Sequence, residues 1–388
     1  MLIDPHRQRP PMLVDKRVFE LPVLTTVLGK TIRDVRVGWE SYGTLNAERS
    51  NAILICHFFS GTSHAAGKYL ESDPLPGYWD AIIGPGKAID TNKYFVFSCD
   101  TLVNVNANDP MVTTTGPAST DAATGKPYGM NFPLVTIGDF VRVQKALVDQ
   151  LGIGKLHAVM GPSMGGLQTY EWAATYPECV ERIVPVVAAA SPGAWLIAWL
   201  NIWATPVLLD PHWNGGDYYA SAAPLAGLAA AIKIIALQAN HFQWTDATYG
   251  ARLAQADRDP LAAFENKFAV ESVFEAAGAA RAALSDANHL LYLVKANQTF
   301  IPGSGAGAKD ADEGLKRIKA PALFLYSPTD QVFPQDWVKA TTQALSANGV
   351  SVETAEIEGP YGHLNGVYGM APHGERIAAF LARPCAAR

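Results

Sequence analysis

The chain has 388 residues and a formal net charge of −6, with 49% hydrophobic and 17% charged residues. No Lys/Arg-rich run occurs, which argues against a nucleic-acid binder or a protein held to an anionic membrane. Length and apolar content suit one large α/β domain carrying an insertion better than two equal halves.

The N-terminal stretch "MLIDPHRQRPPMLVDKRVFELP" has no apolar core of the kind a secretory signal needs. Residues 30–41 and 52–57 ("AILICH") read as strands, β-branched and apolar, on either side of the turn-prone "YGTLNAERSN". "YFVFSCD" (94–100) is a further buried strand. "TIGDFVRVQKALVDQLGIGK" carries apolar residues at helical spacing and ends at glycines, so a helix is expected there. "LHAVM" then predicts a strand, "GGLQTYEWAATYP" a helix and "RIVPVVAAA" a strand. This alternation predicts an α/β fold: a mostly parallel sheet with helices on both faces.

After Ser191 the texture changes. Residues 192–300 are rich in Ala, Trp and Leu and read as an inserted helical lid. Residues 1–191 and 301–388 form the sheet core. The apolar stretch 224–237 is broken by Lys233 and falls short of the roughly 20 residues needed to span a bilayer. The glycine-rich "IPGSGAGAKDADEG" reads as a flexible connector back to the core. Strands follow at "PALFLY" and "SVETAEI", and a last helix at "HGERIAAFLA". The four cysteines (Cys56, Cys99, Cys179, Cys385) are scattered without a CxxC pair, so neither a disulfide framework nor a zinc site is expected. The expectation is a soluble, cytoplasmic protein.

Chemistry concentrates in "LHAVMGPSMGGLQTYEW", where Gly161-Pro162-Ser163-Met164-Gly165 joins a strand to a helix. This is G-x-S-x-G in the context of a nucleophile elbow: the glycines permit a sharp turn that lifts Ser163 above the sheet. The following helix aims its free N–H groups at the same spot. A serine in an ordinary turn does not need both glycines. In such an architecture an acid follows the serine and a histidine comes last. Asp330, just past "PALFLY", and His363, in "PYGHLNG", occupy those positions. An aspartate there could instead cap a turn, and a loop histidine could be merely solvated; chain order and context favour the triad. The oxyanion donors expected are the backbone N–H groups of Met164 and of Phe59 in "ICHFFSGTSHAAG", with Phe58 second to Phe59. "GTSHAAGKY" and "GPGKAI" lack the spacing of a phosphate loop, and "GSGAG" neither follows a strand nor opens a clear helix. His57, His64 and His212 lack metal-ligand spacing, and His57 and His64 are expected to shape the oxyanion loop. No metal or cofactor is expected. Trp195, Trp199 and Trp203 fall four apart, a packing stripe that over a serine site could also bind substrate.

The sequence resembles the homoserine O-acetyltransferase family of α/β-hydrolase-fold proteins over nearly its whole length. The matching stretches are "GPGKAIDTNKYFV", "TTTGPAS", "TGKPYGMNFPLVTIGDFVRVQKALVDQLGI", "GPSMGGLQTYEWAATYP", "DPHWNGGDYY", "YSPTDQVFP" and "PYGHLNG". The resemblance implies a Ser163–Asp330–His363 triad, a helical lid over the site and a homodimer built through that lid. It also exposes departures. The family's acyltransferases place an arginine in the lid helix for the homoserine carboxylate, where this chain has Ala204, and an aspartate after the catalytic histidine, where it has Leu364. Their "HALTG" is here "HFFSG". Burying an ammonium and a carboxylate without these partners costs several kcal/mol per ion. The expectation is therefore the esterase branch: a serine carboxylesterase acting on short-chain esters of uncharged alcohols, alkyl acetates such as ethyl acetate foremost. Its pocket would be lined by Phe58, Trp203, Ala204 and Leu364. The rivals are an acetyl-CoA-dependent O-acetyltransferase and a non-catalytic scaffold.

Overall fold

The computed structural model describes residues 11–384; the first ten residues and Cys385 lie outside the described residues. Eight strands form one sheet: β1 (Arg17–Thr25), β2 (Thr31–Tyr42), β3 (Ala52–Ile55), β4 (Phe95–Cys99), β5 (Ala158–Pro162), β6 (Ile183–Val186), β7 (Ala322–Tyr326) and β8 (Val352–Glu356). Their spatial order is β1-β2-β4-β3-β5-β6-β7-β8. β2 runs antiparallel to both its neighbours, and every other pairing is parallel. β3, β4, β5, β6 and β7 are buried along their whole length, as strands covered on both faces must be. β1 has no counterpart in the sequence reading. It is an edge strand with Pro22 inside it and only Phe19 and Leu24 buried, so it carries little apolar alternation.

The helices are α1 (Ile137–Gln150), α2 (Met164–Thr175), α3 (Ala194–Leu209), α4 (Leu225–Ala239), α5 (Phe242–Thr248), α6 (Ala269–Ala283), α7 (Ala287–Gln298), α8 (Ala311–Arg317), α9 (Gln335–Ala347), α10 (Asn365–Tyr368) and α11 (Gly374–Leu381). A capping box starts α1: the Asp139 carboxylate accepts the Thr136 N–H at 2.8 Å and reaches the Val27 N–H at 2.6 Å. α9 escaped the sequence reading because its buried face, Val338, Thr341, Thr342 and Leu345, is half threonine.

Helices α3 to α8 fall in the stretch between β6 and β7. Asp210 closes α3 and ties it to α4, accepting the His212 N–H at 2.9 Å and the Gly227 N–H at 2.7 Å. α7 turns back onto the body, where Ala118 N–H donates to His289 Nε2 at 3.2 Å and His289 Nδ1 meets the Asn104 carbonyl at 2.9 Å. The glycine-rich connector is not a loose tether. The buried Glu171 carboxylate of α2 accepts the N–H groups of Gly303 at 2.7 Å and Gly305 at 2.8 Å, and Asp310 caps α8. Glycine there lets the backbone approach a carboxylate, a pairing that composition alone does not announce. Among the described residues no single helix is long and apolar enough to cross a membrane; α4 and α5 reach that length together but meet at a 103° bend.

Candidate active site

Ser163 links β5 to α2 with φ 57° and ψ −121°, a strained conformation for a residue with a side chain and one that costs of order 1–3 kcal/mol. The surroundings hold it there. Its N–H donates to the Val186 carbonyl of β6 at 2.9 Å, and its own carbonyl accepts the Gly166 N–H at 2.8 Å. A Cβ on Gly161 or Gly165 would collide with the Cys56 carbonyl at the end of β3, so both glycines are needed for the elbow to seat on that strand.

β5, β6, β7 and β8 are parallel neighbours, which brings the segments following them to one edge of the sheet. Asp330 follows β7 and His363 follows β8, and the two meet: His363 Nδ1 lies 2.8 Å from Asp330 Oδ2. The second oxygen, Asp330 Oδ1, accepts the N–H groups of Val332 at 2.7 Å and Phe333 at 3.0 Å, which fixes the carboxylate. Both side chains are buried, and the Phe333 ring lies against the imidazole at 5.9 Å. The loop carrying His363 rests on the end of β6, whose Val186 carbonyl accepts the Ser163 N–H, because Gly366 packs on Val186 and Val187. Among the described residues no hydrogen bond joins the Ser163 hydroxyl to the His363 ring; nucleophile–base contacts are often long outside the reacting complex.

Asn365 is a residue the sequence reading passed over. Fully buried, it donates to Ser327 Oγ and to the Gly359 carbonyl, both at 3.0 Å, and so anchors the histidine loop to the end of β7. The small residues around it, "GHLNG", hinted at a tight turn but not at this partner.

Phe59 and Met164, the expected oxyanion donors, are both buried, and no backbone acceptor in the described residues takes either N–H. The start of α2 abuts the loop after β3, for a Cβ on Gly165 would also crowd the His57 carbonyl. Phe58 is half-buried and meets Tyr78 edge-on at 5.2 Å. His57 and His64 do lie in this region. His57 is buried beneath the loop, and His64 pairs with the fully buried Glu40 at 3.0 Å while stacking on Tyr69. Burial raises the Glu40 carboxyl, but hydrogen bonds from His64 and Tyr69 and the Lys16 charge outweigh it and bring it below the usual range. Loop residues not foreseen are Asn104, Asn106, Gln168 and Arg281, whose amides and guanidinium bind its carbonyls.

Over the loop, Trp203 of α3 meets the Phe59 ring edge-on at 5.3 Å and donates to Gln238 Oε1 of α4 at 2.7 Å. The tryptophan stripe runs outward from there, Trp195 and Trp199 contacting each other at 5.8 Å with Trp195 exposed. The end of α4 reaches the histidine loop, where Asn240 and His241 crowd Gly362. Leu364 is half-buried beside His363. Ala204 does not join this group. It lines a cleft of about 210 Å³ with Met130, Leu134, Trp213, Leu291 and Tyr292, and Leu364 is not among that cleft's walls. The geometry that places Trp203 over Phe59 turns the next residue of the helix by about 100°, toward α7. Among the described residues no three His, Cys, Asp or Glu side chains gather to hold a metal ion.

Known proteins share this fold. The family model of the alpha/beta hydrolase fold matches residues 53–368. The chain is 42% identical to the homoserine O-succinyltransferase of Magnetococcus marinus over 343 residues, 86% of this chain and 84% of the relative. Esterase E22 superposes with a TM-score of 0.90 at 48% identity, over 95% of this chain and all of that one. The homoserine O-acetyltransferase of Bacillus anthracis superposes with a TM-score of 0.90 at 36% identity, over 97% of this chain and all of that one. With its elbow serine, its strand order and these likenesses, the chain belongs to the α/β-hydrolase fold and, within it, to the homoserine O-acetyltransferase family.

Proposed function

We propose that the protein is a serine carboxylesterase that hydrolyses short-chain esters of uncharged alcohols, with alkyl acetates such as ethyl acetate as its preferred class. Ser163 is the nucleophile, His363 the general base and Asp330 the group that orients the imidazole. The Nδ1 proton faces the carboxylate, which leaves Nε2 free to take the serine proton. The Phe59 and Met164 N–H groups hold the oxyanion of the tetrahedral intermediate, each worth about 3 kcal/mol to the transition state. His363 then protonates the leaving alcohol. Water, deprotonated by the same ring, cleaves the acetyl-serine.

The observation that carries the specificity is Leu364. Half-buried and directly after the base, it supplies an apolar wall where an amino-acid substrate would need a counter-charge for its ammonium group. In the proposed pocket Phe58, edge-on to Tyr78, and Trp203, edge-on to Phe59, add further apolar surface. The likeness to esterase E22 at 48% identity, against 36% for the Bacillus anthracis transferase, agrees with water as the acceptor. A second reading, acetyl transfer from acetyl-CoA to homoserine or another hydroxyl, is favoured by the names its other relatives carry. Both readings share the chemistry up to the acyl-enzyme. A cytoplasmic homodimer assembled through α3 and α4 belongs to the same proposal.

The test compares turnover of ethyl acetate and 4-nitrophenyl acetate with transfer from acetyl-CoA to homoserine. Ester hydrolysis that disappears in Ser163→Ala, together with loss of fluorophosphonate labelling at that serine, is the expected result; efficient homoserine acetylation would overturn the esterase reading. Leu364→Asp should lower ethyl acetate hydrolysis by about tenfold or more and raise residual homoserine transfer. An unchanged ratio would remove Leu364 from the alcohol pocket.

A further inference from the structure

The loop after β3 is held by its carbonyls. The Gly61 carbonyl accepts from Asn104 Nδ2 at 3.0 Å, and the Ser60 carbonyl accepts from Asn106 Nδ2 at 3.1 Å and Arg281 Nη2 at 2.9 Å. The His57 carbonyl accepts from Gln168 Nε2 at 3.2 Å, and that amide is itself fixed by Gln144 at 2.7 Å. One carbonyl is held from inside the loop. Phe58 O lies 2.8 Å from His57 Nδ1 and also accepts the Gly61 N–H at 2.9 Å.

The tautomer of His57 follows from its other side. Nε2 faces the Thr101 N–H at 3.2 Å and the Asn104 amide nitrogen at 3.3 Å. A backbone N–H can only donate, so Nε2 carries the lone pair and Nδ1 carries the proton. Burial pushes the His57 pKa below its ordinary value, the Phe58 carbonyl and Asp100 opposing and Lys16 assisting, so the ring is neutral. A trans peptide points its C=O and N–H in opposite directions. Pulling the Phe58 carbonyl down onto the buried ring turns the Phe59 N–H away from the core, where no backbone acceptor takes it.

We infer that His57 is a positioning residue of the oxyanion hole: its Nδ1–H locks the Phe58–Phe59 peptide with the Phe59 N–H presented to the substrate oxygen above Ser163. The inference rests on the proposed hydrolysis at Ser163. His57 touches no substrate and acts only through that peptide.

The ring's two nitrogens can be imitated separately. In His57→Asn the side-chain amide falls near Nδ1 and can still donate to the Phe58 carbonyl. In His57→Gln it falls near Nε2 and can still accept from Thr101, but the Phe58 carbonyl loses its donor. Steady-state hydrolysis of 4-nitrophenyl acetate and inhibition by a trifluoromethyl ketone, which forms a tetrahedral adduct, would be measured for the full chain and both variants, with thermal midpoints recorded alongside. The expected result for His57→Gln is a kcat lower by about ten- to a hundredfold, a matching loss of affinity for the ketone, and a KM within about threefold. His57→Asn should recover most of kcat. Equal losses in the two variants, a loss carried by KM, or a loss of ketone affinity smaller than that of kcat would overturn the inference. Absence of esterase activity and of Ser163 labelling in the unmodified protein would instead overturn the functional reading itself, before any His57 variant is compared.

Discussion

Glu171 is fully buried on α2, where its carboxylate holds the connector and not any reacting atom. Burial raises its carboxyl above the ordinary value of 4.5, and hydrogen bonds from Thr175 and the Gly303–Gly305 backbone only partly offset that. A raised folded pKa means the native state binds more protons than the unfolded chain above pH 4.5. The stability this group contributes is therefore complete below that pH and is lost as pH rises through the folded pKa. One proton sets a limit of about 1.4 kcal/mol per pH unit on the slope. Urea denaturation of the protein and of Glu171→Gln between about pH 4.5 and 7 should show the difference in stability moving toward the variant as pH rises; parallel curves would refute it. At this scale legibility was uneven. Ser163, Asp330 and His363 could be read because the proposed reaction calls for those residue types in that chain order. Asn104, Asn106, Asn365 and Glu171 could not, because a buried amide or carboxylate declares its role only through partners distant in the chain.

The helical segment shows the same division among elements. Its helices were visible from composition, yet which face of α3 meets the site was not. Trp203 faces Phe59 and Ala204 faces a separate cleft, although both are buried neighbours on one helix. Trp203→Ala removes the contact over the oxyanion loop and leaves Gln238 Oε1 without its donor, while Gln238 Nε2 already lacks an acceptor. The expected cost is about 3–5 kcal/mol of stability. Space above the serine should also shift preference toward esters of bulkier alcohols, read as the ratio of butyl to ethyl acetate kcat/KM. An unchanged ratio would place Trp203 outside the alcohol pocket. β1 was missed for a related reason: an edge strand with only Phe19 and Leu24 buried covers too little apolar surface to impose its period on the sequence.

On the scale of the molecule, the outer surface of α3 and α4 is apolar. Leu209 is 77% exposed and Leu237 54%, with Trp195, Ile202, Leu208 and Leu225 exposed alongside them. The proposed homodimer would cover such residues, which a lone chain leaves in water. Leu209→Lys with Leu237→Lys should convert a dimer to a monomer in sedimentation velocity without abolishing fluorophosphonate labelling. A monomeric parent protein, or a variant that remains dimeric, would sink the proposal. By itself the sequence determined the alternation of strands and helices, the elbow with its two glycines, and the order of serine, acid and histidine. These are local or ordinal properties: apolar period, turn chemistry and position along the chain. Only the tertiary structure decided that Asp330 and His363 lie 2.8 Å apart, that Glu171 fastens the connector, and that the His57 ring meets the Phe58 carbonyl. Those outcomes depend on which strand ends become neighbours in the sheet and on the need to pair every buried polar group, and neither is written in any single stretch of the chain.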